Sequence, residues 1–276
     1  MTNSVHTNTA AAIALQNLSR TNDRLTEVQN RVSTGLKVQG AKDNAAIWAI
    51  AQQQRADVGA LGAVKQSLDR ATSIADVALS AGEAVSDLLN QLKEKVVAAK
   101  DSSLTTQSRT LLNNDFQALL KAIKSAVDNA ALDGGNILNG SLTTGIKFLA
   151  NADASSFVTL TSKDLSLSGA IISLGLADTL TTLTGASTAL TKLDSSITNL
   201  NAALGSIGAQ AKQIEAHKTF VSKLSDTLES GIGNLVDADL AKESARLQAL
   251  QVQQQLGAQS LSIANQAPQV VLSLFR

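Results

Sequence analysis

Along residues 190–235 the apolar positions advance in alternating steps of three and four: Leu190, Leu193, Ile197, Leu200, Leu204, Ile207, Ala211, Ile214, Val221, Leu228, Ile232 and Leu235, with Lys218 and Ser225 breaking the line. That alternation keeps one helical face apolar, and its length predicts a coiled-coil-like seam rather than an ordinary short helix. Leu68, Ala71, Ala75, Ala78, Gly82, Val85, Leu89, Leu92, Val96 and Ala99 repeat the spacing. Ile74, Val77, Ala81, Ala84 and Leu88 widen the stripe, as expected of a helix with more than one neighbour. Beyond the polar break "DSSLTTQSRT", Leu112, Phe116, Leu119, Ile123 and Val127 predict a shorter helix that packs back on the second. The expected product is an antiparallel rod, whose Leu61–Ala99 stretch would span roughly 60 Å at about 1.5 Å per residue.

The two ends carry weaker versions of the same pattern. Leu15, Leu18, Asn22, Leu25, Gln29 and Val32 form a seam with two polar members. Gly35 is a plausible helix stop, and Asp43 in "GAKDNAAIWAI" is the expected N-cap of the next helix, leaving "GLKVQGAK" as a linker. In "GIGNLVDADLAKESA", Gly231 and Gly233 weaken the long helix and Asp237 or Asp239 can cap a final one. The chain then stops on "ANQAPQVVLSLFR", which holds its one proline and is apolar where chain ends are usually polar and frayed. Between the helical halves, "SFVTLTS" and "DLSLSG" alternate among Gly, Asn and Asp turn signals, which predicts a small patch of β-hairpins. The fold class read from these patterns is mainly α: a long antiparallel helical rod or coiled coil with a small β-hairpin insert.

Composition sharpens this picture. Apolar residues make up 44% of the 276 residues but aromatics only 2%, so the core formers are Ala, Leu, Val and Ile, which suit narrow helix seams. Twenty-three basic residues balance 23 acidic ones, so no net field draws the chain to nucleic acid or an anionic membrane. Near-zero net charge instead removes a brake on self-association. There is no cysteine, hence neither a disulfide framework nor a thiolate metal site. The start does not read as an ordinary secretory signal, and no window is apolar for long enough to span a bilayer.

Candidates for chemistry are few. His6 lies in a polar start and His217 on the long helix, where a solvated surface histidine is the expected reading, since a general base needs partners within reach. Asp57, Asp69, Asp76, Glu83, Asp87 and Glu94 recur along one helix as a solvated face. "LDGGNILNG" and "GSIGA" lack the flanking residues of a phosphate cradle. Trp48 is expected to pack rather than stack on a ligand. No catalytic, cofactor or metal residue is expected, and the remaining chemistry is association.

The run "LQNLSRTNDRLTEVQNRVSTGLKVQGAKDNAAIWAIAQQQRADVGAL" resembles the start of bacterial flagellin. "NLVDADLAKESARLQALQVQQQLGAQSLSIANQAPQVVLSLFR" is similar to the flagellin end, including "QQQLG" and the final "VLSLFR". The chain resembles the compact alphaproteobacterial flagellins that lack large outer domains. That resemblance implies a structural subunit that polymerises into the flagellar filament for swimming motility, exported without signal cleavage through the flagellar type III apparatus. It implies paired terminal helices (1–40 and 233–276) in the inner filament core, a helical rod (41–139 and 177–232) and a β-hairpin region (140–176). It further implies no enzyme activity, no cofactor, no nucleic-acid partner and no membrane insertion. The expected partners are the chain itself and sister flagellins, a filament cap, junction proteins and a secretion chaperone or assembly factor. The alternatives are a hook-filament junction protein and, in a different class, a chemoreceptor-like helical signalling protein.

In this reading the self-assembly residues are Leu15, Leu18, Leu25, Val32, Leu247, Leu250, Leu261, Val270, Val271, Leu272, Leu274 and Phe275. Some flagellins carry O-linked sugars, for which Thr143, Thr144, Ser166, Thr181, Thr182, Thr184 and Ser187 are the candidates here, against ordinary solvated hydroxyls.

Overall fold

The computed structural model describes residues 7–273, with side chains described through Gln266. Five helices and two strands follow in order: α1 (Thr9–Thr34), α2 (Ala45–Ala99), α3 (Thr106–Asp128), β1 (Ile146–Leu149), β2 (Phe157–Leu160), α4 (Leu183–Val236) and α5 (Leu240–Ser273). The chain divides into two compact units, one built up to Ala56 and from Thr227 on, the other from Asp57–Asp226.

In the second unit α2 and α4 lie antiparallel. Asp69 pairs with Lys218, and Lys93 Nζ reaches Asp194 Oδ1 at 2.8 Å, so partners move in opposite directions along the two helices. Gly82 sits between these pairs against Leu204: a Cβ there would lie 2.2 Å from Leu204 Cδ2, so that methyl would have to swing away. The seam residues Leu68, Val85, Leu89, Leu92, Val96, Leu193, Leu200, Ile207, Ile214 and Val221 are buried, as the spacing predicts. Lys218, the charged residue on the α4 line, is half-buried and takes Asp69 as its counter-ion.

The short helix α3 runs back along α2 and buries Phe116, Leu120, Ile123 and Val127. The turn before it is fastened by Arg109, which donates to the carbonyls of Ala99 and, at 2.6 Å, of Asp101. The last carbonyls of a helix have no partners of their own and carry partial negative charge, so a buried guanidinium there satisfies them and complements the helix dipole. Lys95 Nζ reaches Asp115 Oδ2 at 2.8 Å, and this bond raises the lysine's pKa above its ordinary value.

β1 and β2 form one antiparallel hairpin from Ile146↔Leu160 to Leu149↔Phe157, with Phe148 and Leu160 turned into the core. "DLSLSG" is not a strand. Asp164 Oδ1 accepts from the backbone N–H and hydroxyl of Ser166, Ser168 has φ +63°, and a single bridge joins Leu167 to Ile172. A carboxylate that bonds two residues onward makes a turn of what alternation alone reads as an extended run.

One helix end also differs from expectation. Asn44, not Asp43, caps α2: Ile47 N–H donates to Asn44 Oδ1 at 3.0 Å. Asp43 Oδ2 instead accepts from the backbone of Gln39 (2.8 Å) and Gly40 (3.2 Å), holding the linker. Of the two aspartates weighed for α5, Asp239 is the cap, accepting from Ala241 and Lys242 at 3.1 Å each. Gly35 ends α1 at φ +74°, in the left-handed region that favours glycine.

Candidate assembly surface

The first unit is organised by α1 lying antiparallel on α5. Asn8 caps α1 by accepting from Ala11 N–H at 3.0 Å and also donates to Ala264 O at 2.7 Å. Midway, Gln254 Nε2 donates to Asn22 Oδ1 at 2.8 Å. At the far end Arg31 stands 2.5 Å from Glu27 and 3.5 Å from Glu243. Glu243 is buried, and its Oε2 finds no hydrogen-bond partner among the described residues.

Next to that ion pair the two interhelical segments are tied together. Lys37 and Val38 N–H donate to Val236 O (2.8 and 3.3 Å), and Ala238 N–H donates to Gly35 O at 2.8 Å. Lys37 Nζ adds a bond to Asn234 O at 3.0 Å. The pairing of α1 with α5 is therefore pinned at both ends and in the middle.

The seam between them is narrow. Leu25, Val28 and Leu250 form its buried core, with Val32 and Leu247 packed against it. Leu18 and Leu261 are half-buried, and Gly257 brings α5 close to α1, where a Cβ would stand 3.3 Å from Leu18 Cδ1. The predicted α1 line is corrected in register. Leu18, Leu25 and Val32 face α5, but Thr21 and Val28 fill the positions between them, while Asn22 and Gln29 are exposed. The three shared residues fit either line at 3.6 residues per turn, and burying Val28 rather than Gln29 selects one.

Leu15 lies outside that seam, 57% exposed, and Ile13 on its other flank is exposed as well. On α5, Val252, Leu256 and Ile263 are more than half exposed and recur at helical spacing. At about 100° per residue they lie about 180° from Leu250, Gln254 and Leu261. α5 is thus apolar on two opposite faces, one covered by α1 and one not. These residues were missed because a heptad search follows one seam; the second stripe is legible in "QVQQQLGAQSLSIA" once the first is subtracted. Val270, Val271 and Leu272 belong to α5, but their side chains lie outside the described residues, as do Leu274 and Phe275 altogether.

Among the candidate modification sites, Thr143, Thr144, Thr181, Thr182, Thr184 and Ser187 are exposed. Ser166 is half-buried and its hydroxyl is engaged by Asp164 at 2.5 Å.

His217 is not a solvated side chain: it is half-buried, and its Nε2 lies 2.8 Å from Ala150 O. A carbonyl only accepts, so Nε2 carries the proton. Among the described residues no three His, Asp or Glu side chains converge on a point that could hold a metal, and no helix is long and apolar enough to cross a membrane. His6 lies outside the described residues.

Comparison with known proteins accounts for this arrangement. Residues 5–143 match the bacterial flagellin N-terminal helical region and residues 190–275 the bacterial flagellin C-terminal helical region. The flagellin FljJ of Caulobacter vibrioides is 52% identical over 275 residues, covering 99% of this chain and 98% of its own. A flagellin of Brucella melitensis is 40% identical over 282 residues, covering 99% of both chains. The crystal structure of Bacillus cereus flagellin is similar at a TM-score of 0.49 and 18% identity, over 56% of this chain and 88% of that one. With both ends and the full length matched to compact alphaproteobacterial flagellins, the chain belongs to the bacterial flagellin family: it is an exported structural subunit, not an enzyme, that polymerises into the extracellular filament of the flagellum.

Proposed function

We propose that polymerisation is driven by the faces of α1 and α5 that the pair leaves uncovered. The observation that carries this reading is the exposed stripe Val252, Leu256 and Ile263 opposite the α1 seam, together with Ile13 and Leu15 exposed on the flanks of α1. The buried core of the pair is small, whereas ordering each residue's backbone costs about 1–2 kcal/mol. Two such helices are marginal alone and become ordered for good when neighbouring copies bury their outer stripes, at about 25 cal/mol per Å² of apolar surface. The paired helices (1–40 and 233–276) then form the inner core of the filament, with the rod (41–139 and 177–232) and hairpin region (140–176) around it. The apolar tail residues Val270, Val271, Leu272, Leu274 and Phe275 take part in the same assembly. Because each copy offers one face and receives on another, the array stays open and grows as a helix.

In the same reading the cap and junction proteins meet these helix faces at the filament's ends, sister flagellins meet them along it, and a secretion chaperone or assembly factor covers them before export. The exposed hydroxyls of Thr143, Thr144, Thr181, Thr182, Thr184 and Ser187 are the positions open to O-linked sugars, and intact mass of the exported protein tests this. The assembly surface is tested by Leu256→Asp, viewed by electron microscopy beside the unsubstituted protein. The variant is expected to keep the second unit folded and to form no filaments; normal filaments would remove the α5 stripe from the interface.

A further inference from the structure

The dipeptide Asn-Gly occurs once in the chain, at Asn139–Gly140, in the segment that joins α3 to β1. There Asn139 is half-buried, and its Oδ1 accepts two bonds from one residue, the Ser141 N–H at 3.0 Å and the Ser141 hydroxyl at 2.6 Å. Gly140 is exposed, has φ +72°, and among the described residues its N–H donates to no protein acceptor. A carbonyl polarised by two donors thus adjoins a backbone nitrogen that is open to solvent and has no side chain to shield it.

These are the parts of an acyl transfer within the backbone. Two donors on a carbonyl oxygen stabilise the negative charge that gathers there when a nucleophile adds, and a nucleophile held in the same short ring needs no encounter step. Neighbouring asparagines lack one part or the other. Asn136 Oδ1 also accepts two bonds, from the N–H groups of Leu138 and Asn139, but Asn136 is buried and is followed by the fully buried Ile137. Asn129 is exposed, but the next N–H, that of Ala130, is bonded to Val127 O at 3.3 Å.

We propose that Asn139 is a self-modification site, deamidated by the nitrogen of Gly140 with Ser141 activating the side-chain carbonyl. The Gly140 nitrogen gives its proton to solvent and bonds to Asn139 Cγ; the Cγ–Nδ2 bond breaks and ammonia leaves, closing a succinimide. Water then adds to either carbonyl of that ring and opens it to an aspartyl or an isoaspartyl residue. One water enters, one ammonia departs, and nothing is oxidised or reduced. The product carries a new carboxylate next to Gly140, where a Cβ would stand 2.9 Å from the Asp164 carboxyl, so two like charges come together. The isoaspartyl form also lengthens the backbone beside Leu138, a buried residue whose carbonyl accepts from Leu165 N–H at 2.7 Å.

The test is incubation of the purified full chain in mildly alkaline buffer, followed by trypsin digestion and tandem mass spectrometry. The peptide ending at Lys147 carries Asn129, Asn136 and Asn139 together, so each site is the others' control. Asn139 is expected to deamidate at least about tenfold faster than either neighbour in the native protein, and no more slowly there than in urea. Ser141→Ala, which removes the hydroxyl donor, is expected to slow the native reaction by about tenfold and to leave the rate in urea unchanged. Deamidation of Asn139 no faster than that of Asn129 or Asn136 overturns the proposal, and so does a native rate that Ser141→Ala does not alter. Should that variant fail to fold, the unsubstituted chain decides: an Asn139 that reacts more slowly native than in urea shows that the turn protects the amide instead of activating it.

Discussion

Gly145 lies so close to Leu160 that a Cβ built on it would stand 2.2 Å from the Leu160 carbonyl oxygen, and its φ of +79° is in the left-handed region. It immediately precedes the Ile146↔Leu160 pair that opens the hairpin. Gly145→Ala therefore meets two costs at once, the left-handed backbone and a backbone atom that cannot swing aside. It is expected to lower the stability of the second unit by about 2 kcal/mol or more in urea unfolding.

Arg109 closes the turn between α2 and α3 by donating to the carbonyl of Ala99, the last residue of α2, and to that of Asp101 just beyond it. Arg109→Met keeps the buried stem but leaves those carbonyls unsatisfied, and a loss of about 2–3 kcal/mol is expected. Arg109→Lys, with its single cationic head, should recover part of it. A Met variant as stable as the parent would show that water serves these carbonyls equally well.

In the first unit two leucines separate pairing from assembly. Leu25 is in the buried α1–α5 core, whereas Leu15 is exposed. Leu25→Ala should loosen the helix pair in the free subunit, visible as lost helical circular dichroism, because truncating a buried leucine typically costs about 2–5 kcal/mol. Leu15→Asp should leave that signal unchanged and still prevent filaments from forming.

The carboxyl of Asp101 is held below the usual aspartate range, first by the Ser103 N–H, at 2.8 Å, and then by its hydroxyl at the same distance. A depressed carboxylate pKa contributes stability that is present above the unfolded-state value, about 3.9, and is lost as pH falls through the lower folded value. The window thus lies on the acid side of the ordinary aspartate pKa. An NMR titration should find Asp101 ionised where exposed aspartates are already protonated, and Ser103→Ala should move it upward, toward the ordinary range. Unchanged titration in that variant would assign the shift to another group.

Helix capping offers a further contrast between neighbours. Asn44→Ala removes the N-cap of α2 and should cost about 1 kcal/mol. Asp43→Ala should instead raise hydrogen exchange at Gln39 and Gly40, whose N–H groups it accepts.

Most of the helical architecture was legible in the sequence, because a step of three and four residues is dictated by helical geometry and needs no knowledge of the partner. The stop at Gly35 and the seam of α4 from Leu193 to Val221 followed from local rules, which also narrowed the α5 cap to Asp237 or Asp239. The family was equally legible, since the motifs at both ends carry it. Local rules fail where two neighbours compete for one role. Asp43 and Asn44 are both good caps, and only the folded linker shows that the aspartate is occupied by Gln39 and Gly40. "DLSLSG" alternates like a strand, but Asp164 turns it by bonding Ser166. Which seam of α1 faces inward and which stripe of α5 stays uncovered depend on contacts between residues far apart in the chain. Periodicity in one helix determines that a face is apolar; only the placement of its neighbours decides whether that face is already buried or left for another copy.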